Sequence, residues 1–198
     1  MAVAIITGPP GAGKTTVAAQ LAASSQLGVH LAGDQVFHWV VGGYVPPWMP
    51  GTSRQNGTVI SAIAAAAVQF ADGGYDVFVD GIIGPWFLPY WLQMAGRARP
   101  THYLILRPSR QIASLRATSR QAPGDLVDPH PVAAMFDVFE DLGRFEAHVL
   151  DSSGQDISAT VAAIQEGLGD GRYLLDPSNE AIDMDRLALK FGIDRPGR

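Results

Sequence analysis

Gly8-Pro9-Pro10-Gly11-Ala12-Gly13-Lys14-Thr15 places one glycine five residues ahead of another, with a lysine and a threonine directly after it. Glycines at these points let backbone N–H groups turn inward around a phosphate, because no Cβ blocks the approach. A helix opening near Lys14 adds the positive end of its dipole. The lysine then reaches the β- and γ-phosphates of a nucleoside triphosphate, and the Thr15 hydroxyl ligates Mg²⁺. This is the Walker A spacing. It makes Gly8, Pro9, Pro10, Gly11, Ala12, Gly13, Lys14, Thr15 and Thr16 the ATP-binding set, with Lys14 also catalytic. A glycine-rich turn that matches by accident would not need a buried strand before it and a helix after it, and this segment has both patterns.

Two aspartates close apolar runs further along. Asp80 follows Phe78-Val79, the form of a Walker B carboxylate that holds Mg²⁺ directly or through water. A plain strand-end turn residue is the alternative. Asp34 ends a second apolar run and is the candidate general base, accepting the proton of a hydroxyl as that oxygen attacks the γ-phosphate. It also suits an N-cap for the segment 35–41. Arg116 and Arg120 stand four apart near the end of a helical pattern, which puts both guanidinium groups on one helix face. Turn-rich residues 121–129 follow them, so residues 116–130 read as a lid whose arginines fold over the triphosphate. Two solvated helix arginines are the alternative.

The segment between Asp34 and the next strand is longer than a crossover requires. Residues 33–75 therefore read as the acceptor-binding segment, with Phe37, His38, Trp39, Tyr44, Trp48 and Arg54 between stiffening prolines. Trp48 and Trp86, each beside a proline, are the candidate pocket residues, and Phe37, Phe87 and Trp91 are assigned to the core. Arg54 is the single cation of this region, which favours a neutral, partly apolar hydroxyl compound over a phosphorylated acceptor. The five histidines show no metal-ligand spacing. His38, four residues after Asp34, would orient that carboxylate if the segment is helical.

The elements that must position these groups alternate. Short apolar runs at 2–7, 28–33, 76–80, 102–107 and 147–151 read as strands. Helical patterns lie at 14–24, 58–71, 88–98, 109–119, 131–145 and 157–168. Such alternation implies right-handed crossovers and a parallel sheet covered on both faces. One domain of residues 1–168 and a tail of 169–198, with a short helix near 181–191, account for the 198 residues. A net charge of −5 argues against a nucleic-acid partner. The absence of cysteine excludes disulfides and thiolate metal sites. No stretch is long and apolar enough for a membrane span, and no targeting signal precedes the first strand, so a cytoplasmic protein is expected.

Together GPPGAGKTT, LAGD, VFVDG and the LRATSR helix leading to a short flap resemble the small P-loop kinases of the nucleoside-monophosphate, shikimate and gluconate kinase type. Within that group the chain is most similar to chloramphenicol 3-O-phosphotransferase-like proteins. The resemblance covers residues 1 to about 168. It implies a three-layer α/β fold with a five-stranded parallel sheet of order 2-3-1-4-5, and Lys14, Asp34 and Arg120 as catalytic residues. The expected activity is an ATP- and Mg²⁺-dependent transfer to a hydroxyl of a small molecule. A regulatory ATPase switch and a nucleoside or nucleotide kinase are the rival readings. The chain lacks both Asn-Lys-x-Asp and an Asp-x-x-Gly after the third strand, which disfavours a GTPase.

Overall fold

Val3–Thr7 is buried along its whole length and forms the central strand, β1, of a computed structural model that describes residues 2–95, 100–121 and 126–175. Four further strands join it, β2 Gly28–Ala32, β3 Asp76–Asp80, β4 Thr101–Leu106 and β5 Val149–Leu150. All pair in parallel, in the order β2-β3-β1-β4-β5. The expected three-layer P-loop NTPase architecture is thus present. Because β1 sits between β3 and β4, the chain leaves it at the point where the strand order reverses. A crevice opens there above the carboxyl ends of the strands.

Both faces of the sheet are covered, which explains runs of apolar residues without alternation. On one face Val3, Ile5, Val77, Val79, Tyr103 and Ile105 meet Val59, Ile60 and Ile63 of α3 (Ser53–Asp72) and Trp91 of α4 (Leu88–Ala95). On the other, Ala4, Ile6, Phe78, Leu104 and Leu106 meet Val17 and Leu21 of α1 (Lys14–Ser24) and Ile164 of the helix over Ile157–Gly169. Trp91 is fully buried, as its sequence context implies.

Several boundaries differ from the sequence reading. The helix expected over 58–71 begins at Ser53, so Arg54 is its second residue rather than a loop cation beside it. Asp34 lies in the first turn of α2 (Gly33–Phe37), whose N-cap is Ala32, so the capping role is not the one it takes. The pattern over 131–145 divides into a helix over Pro129–Asp137, capped at Val138, and a separate 3-10 turn over Gly143–His148 that opens on Gly143 at a φ of 58°. α5 is Arg110–Thr118, with α6 the Pro129–Asp137 helix and α7 the Ile157–Gly169 helix. The domain does not stop at 168. Tyr173 and Leu175 are buried, and their backbones bond to β4. The proposed tail helix at 181–191 and the middle of the lid, 122–125, lie outside the described residues.

Candidate functional site

Three glycines of the loop after β1 have positive φ, and they serve different purposes. A Cβ on Gly8 (φ 140°) would strike the Leu106 carbonyl oxygen of β4, and one on Gly11 (φ 80°) would strike the Ala113 carbonyl oxygen of α5. These two set how closely the loop packs on its neighbours. A Cβ on Gly13 (φ 91°) would meet nothing within 4 Å. That position is open space, so packing places no demand on Gly13 and only its left-handed backbone does. The close approach at Gly11 also draws the end of α5 beside Lys14, whose pKa feels the charge of Arg120.

Lys14 opens α1, is buried, and donates from Nζ to the Pro9 carbonyl at 3.0 Å. Burial lowers its pKa to about 8, with the carboxylates of Asp34 and Asp80 opposing that shift and Arg120 adding to it. Lys14 thus feels the charges of three residues from three other segments, Asp34, Asp80 and Arg120. Arg120 arrives differently from expectation. α5 ends at Thr118, so Arg120 extends from the segment beyond it, while Arg116 stays exposed on the last turn.

Asp80 ends β3 and is 2% exposed. One carboxylate oxygen, Oδ2, accepts the Thr15 hydroxyl at 2.5 Å, and Oδ1 lies 2.7 Å from His30 Nε2. Gly33 makes room for this corner, since a Cβ there would press on the Asp80 carbonyl oxygen. That contact carries α2, and with it Asp34, to the end of β3. Asp34 itself is exposed. His30 carries no signal in the spacing of residues along the chain, since it stands in no metal-ligand pattern. Its signal was strand parity. His30 pairs with Phe78 and Ala32 with Asp80, so His30 and Asp80 share a face.

The donor set fits Mg²⁺. A threonine hydroxyl and a carboxylate are hard oxygen donors, and Mg²⁺ is ordinarily held by one or two carboxylates together with substrate phosphates. Among the described residues no cluster of three or more His, Cys, Asp or Glu could hold an ion without such phosphates.

On the acceptor side, the loop between α2 and α3 is pinned by the first turn of α3. Gln55 brackets Val45, accepting its N–H at 3.0 Å and donating to its carbonyl at 2.7 Å. Asn56 donates to the Pro47 carbonyl at 2.8 Å, and the Thr52 hydroxyl lies 2.8 Å from the Met49 carbonyl. The pinned loop exposes Tyr44, Val45, Trp48 and Met49. Trp48 stays in the loop, with its side chain exposed. Trp86 does not: Pro85 starts a 3-10 turn that brings the ring inward, 5.8 Å from Phe139, and leaves it 7% exposed within the core. His38 caps α2 and lies edge-on to Tyr44 at 6.2 Å rather than extending the helix beneath Asp34.

A phosphate loop at the switch point of a 2-3-1-4-5 parallel sheet, with Asp80 closing β3 beside it, defines a P-loop NTPase fold. Residues 3–152 match the AAA domain family, and the chain belongs to it. Among solved structures it is similar to an unliganded sugar kinase from a Janibacter species (16% identity, TM-score 0.66, covering 85% of this chain and 95% of that one). It is also similar to the tunicamycin resistance protein of Deinococcus radiodurans (16%, 0.64, 85% and 96%). A gluconokinase from Sinorhizobium meliloti follows (16%, 0.59, 86% and 97%). At these identities the likeness is one of fold. No curated protein sequence matches the chain significantly.

Proposed function

We propose that the chain is an ATP-dependent phosphotransferase acting on a hydroxyl of a small molecule. The observation that carries this reading is the division of labour between two carboxylates around Lys14. Asp80 is buried and occupied by Thr15 and His30, which suits a structural metal partner. Asp34 is exposed and so open to an acceptor, yet close enough to act on the Lys14 charge. An ATPase that only switches has less need of the second.

In this reading Lys14 and Arg120 bind the transferring phosphoryl group and stabilise its charge, and Arg116 stands beside the nucleotide. Asp34 accepts the hydroxyl proton as the acceptor oxygen bonds to the γ-phosphorus and the bond to ADP breaks. Thr15 and Asp80 would hold Mg²⁺, which would supply charge neutralisation for the transferring phosphoryl group. The lid over 116–130 and the segment over 33–75 bring acceptor and nucleotide together. The exposed apolar surface of Tyr44, Val45, Trp48 and Met49, with Arg54 the nearby cation of α3, supports a neutral acceptor with an apolar body. A phenicol-type alcohol of the chloramphenicol 3-O-phosphotransferase kind is one such compound. The sugar kinase and tunicamycin resistance neighbours make sugar-bearing alcohols a second class for the same screen.

ADP release from Mg²⁺·ATP in the presence of phenicols, sugar acids, nucleosides and aminoglycosides tests the proposal. Stimulated turnover by one class, lost in Lys14→Ala, is the expected result. With that acceptor, Asp34→Asn should lower kcat by at least about a hundredfold and leave ADP affinity within about twofold. Hydrolysis indifferent to every acceptor would instead favour the regulatory ATPase.

A further inference from the structure

His30 lies on β2, outside the phosphate loop, yet it touches the buried carboxylate of that site. A carboxylate has no proton to give, so at 2.7 Å the His30 Nε2 must be the donor and Asp80 Oδ1 the acceptor. The other oxygen, Oδ2, accepts from the Thr15 hydroxyl at 2.5 Å. A carboxylate held at one oxygen still turns about its Cβ–Cγ bond, whereas one held at both has its plane fixed. The order of contacts, His30 to Asp80 to Thr15, links an edge strand to the first turn of α1 through one rigid group.

We propose that His30 is a positioning residue for the metal half of the nucleotide site. Its Nε2–H fixes the Asp80 plane so that Oδ2 takes the Thr15 hydroxyl proton. With its proton engaged there, the Thr15 oxygen keeps its lone pairs free and would serve as a Mg²⁺ donor. Outer partners of this kind tune metal affinity through the ligands they orient. His30 is partly open, with 22% of its side chain exposed, so its ring is not a core filler whose loss must unfold the strand. The inference rests on the reading of the loop as a Mg²⁺·nucleotide site.

The test measures ADP binding by the full chain at one fixed pH, first in EDTA and then over a Mg²⁺ titration. Thermal denaturation serves as the folding check. For His30→Ala the Mg²⁺ concentration giving half the tightening of ADP binding should rise about tenfold or more. Its metal-free ADP affinity should stay within about twofold of wild type. His30→Gln, whose amide N–H can replace the Nε2 donor, should recover most of the difference. If both variants keep the wild-type Mg²⁺ dependence, or if metal-free affinity falls as much as metal-assisted affinity, the positioning role is overturned and the nucleotide site stands. If the wild-type chain binds ADP with no Mg²⁺ dependence, the parent reading fails and this inference with it.

Discussion

Lys14 is held in a hollow that disfavours its own charge. Burial lowers its pKa from 10.5 to about 8, and Asp34 and Asp80 offset only part of that. Between those values the unfolded chain binds more protons than the folded one. Stability of the free protein therefore rises with pH across the window, and the full penalty of the buried ammonium is present below about pH 8. A bound polyphosphate reverses the preference, because it favours the ammonium form. Metal-free ADP should therefore bind with level affinity up to about pH 8, then weaken toward roughly tenfold per unit above it. Calorimetry across that range checks this, and Lys14→Ala should show weak binding with no such slope. The glycines separate structure from function in a similar way. Gly8→Ala forces a Cβ onto the Leu106 carbonyl and should cost more than about 2 kcal/mol of stability. Gly13→Ala has open space, so it should cost only about 1–2 kcal/mol for the left-handed backbone, and by straining the loop just ahead of Lys14 it should weaken ADP binding more than stability. Thermal melts and a binding assay on the two variants separate these outcomes. Gly8, Gly13, Lys14 and Thr15 were legible from sequence because their chemistry needs fixed spacing along the chain. His30 was not, since its contact depends on the register between β2 and β3.

At the scale of elements, what the sequence shows well is what local chemistry dictates. The strands ending at Asp80 and Leu106 are apolar runs almost wholly buried, and the half-buried edge strand ending at Ala32 is a run of the same kind, so each was recognisable from its run alone. Helix ends were harder. α3 begins five residues before its apolar periodicity does, because Ser53 to Gly57 form the turn that holds the acceptor loop rather than the core. Polar residues with that task carry no periodic signal. Trp86 failed for a related reason: proximity to proline suggested a loop, whereas Pro85 begins a 3-10 turn and directs the ring to Phe139. The turn at the start of α3 makes its own prediction. Asn56→Ala removes the bond to the Pro47 carbonyl, at 2.8 Å, and one to Thr52, at 3.1 Å. Each such bond contributes about 0.5–1.5 kcal/mol, so overall stability should fall by roughly 1–3 kcal/mol. The larger effect should be local. Amide exchange across residues 45–52 should speed up relative to wild type, and the KM for the acceptor should rise while ADP affinity holds. Unchanged exchange in that segment would mean that the prolines alone set the loop.

At the scale of the whole molecule, the sheet closes with chain that lies beyond the family match. β5 supplies two residues, Val149 and Leu150, which pair only with Ile105 and Leu106 at the carboxyl end of β4. Along the first half of β4 the same edge is taken by residues 173–175, running antiparallel. Tyr103 N–H donates to the Tyr173 carbonyl at 2.7 Å, and Leu175 N–H donates to the Thr101 carbonyl at 2.9 Å. The Tyr173 ring is 1% exposed and lies against Gly167 of α7, where a Cβ would have no room. Two short segments thus do the work of one edge strand, one of them after the last helix, which the sequence reading assigned to a tail. The match to the AAA domain family ends at 152, so the folding unit extends past it to at least 175. A chain ending at Gly169 and one ending at Leu175 should therefore differ sharply. Deleting a buried aromatic or leucine side chain typically costs about 2–5 kcal/mol, and here both go together with two backbone bonds. The shorter chain should lose at least about 4 kcal/mol and, at roughly 2–4 °C per kcal/mol, melt about 10 °C lower or more. Circular dichroism melts of the two chains decide it. Equal melting temperatures would show that β4 keeps its edge through β5 alone, and that the domain does end at α7.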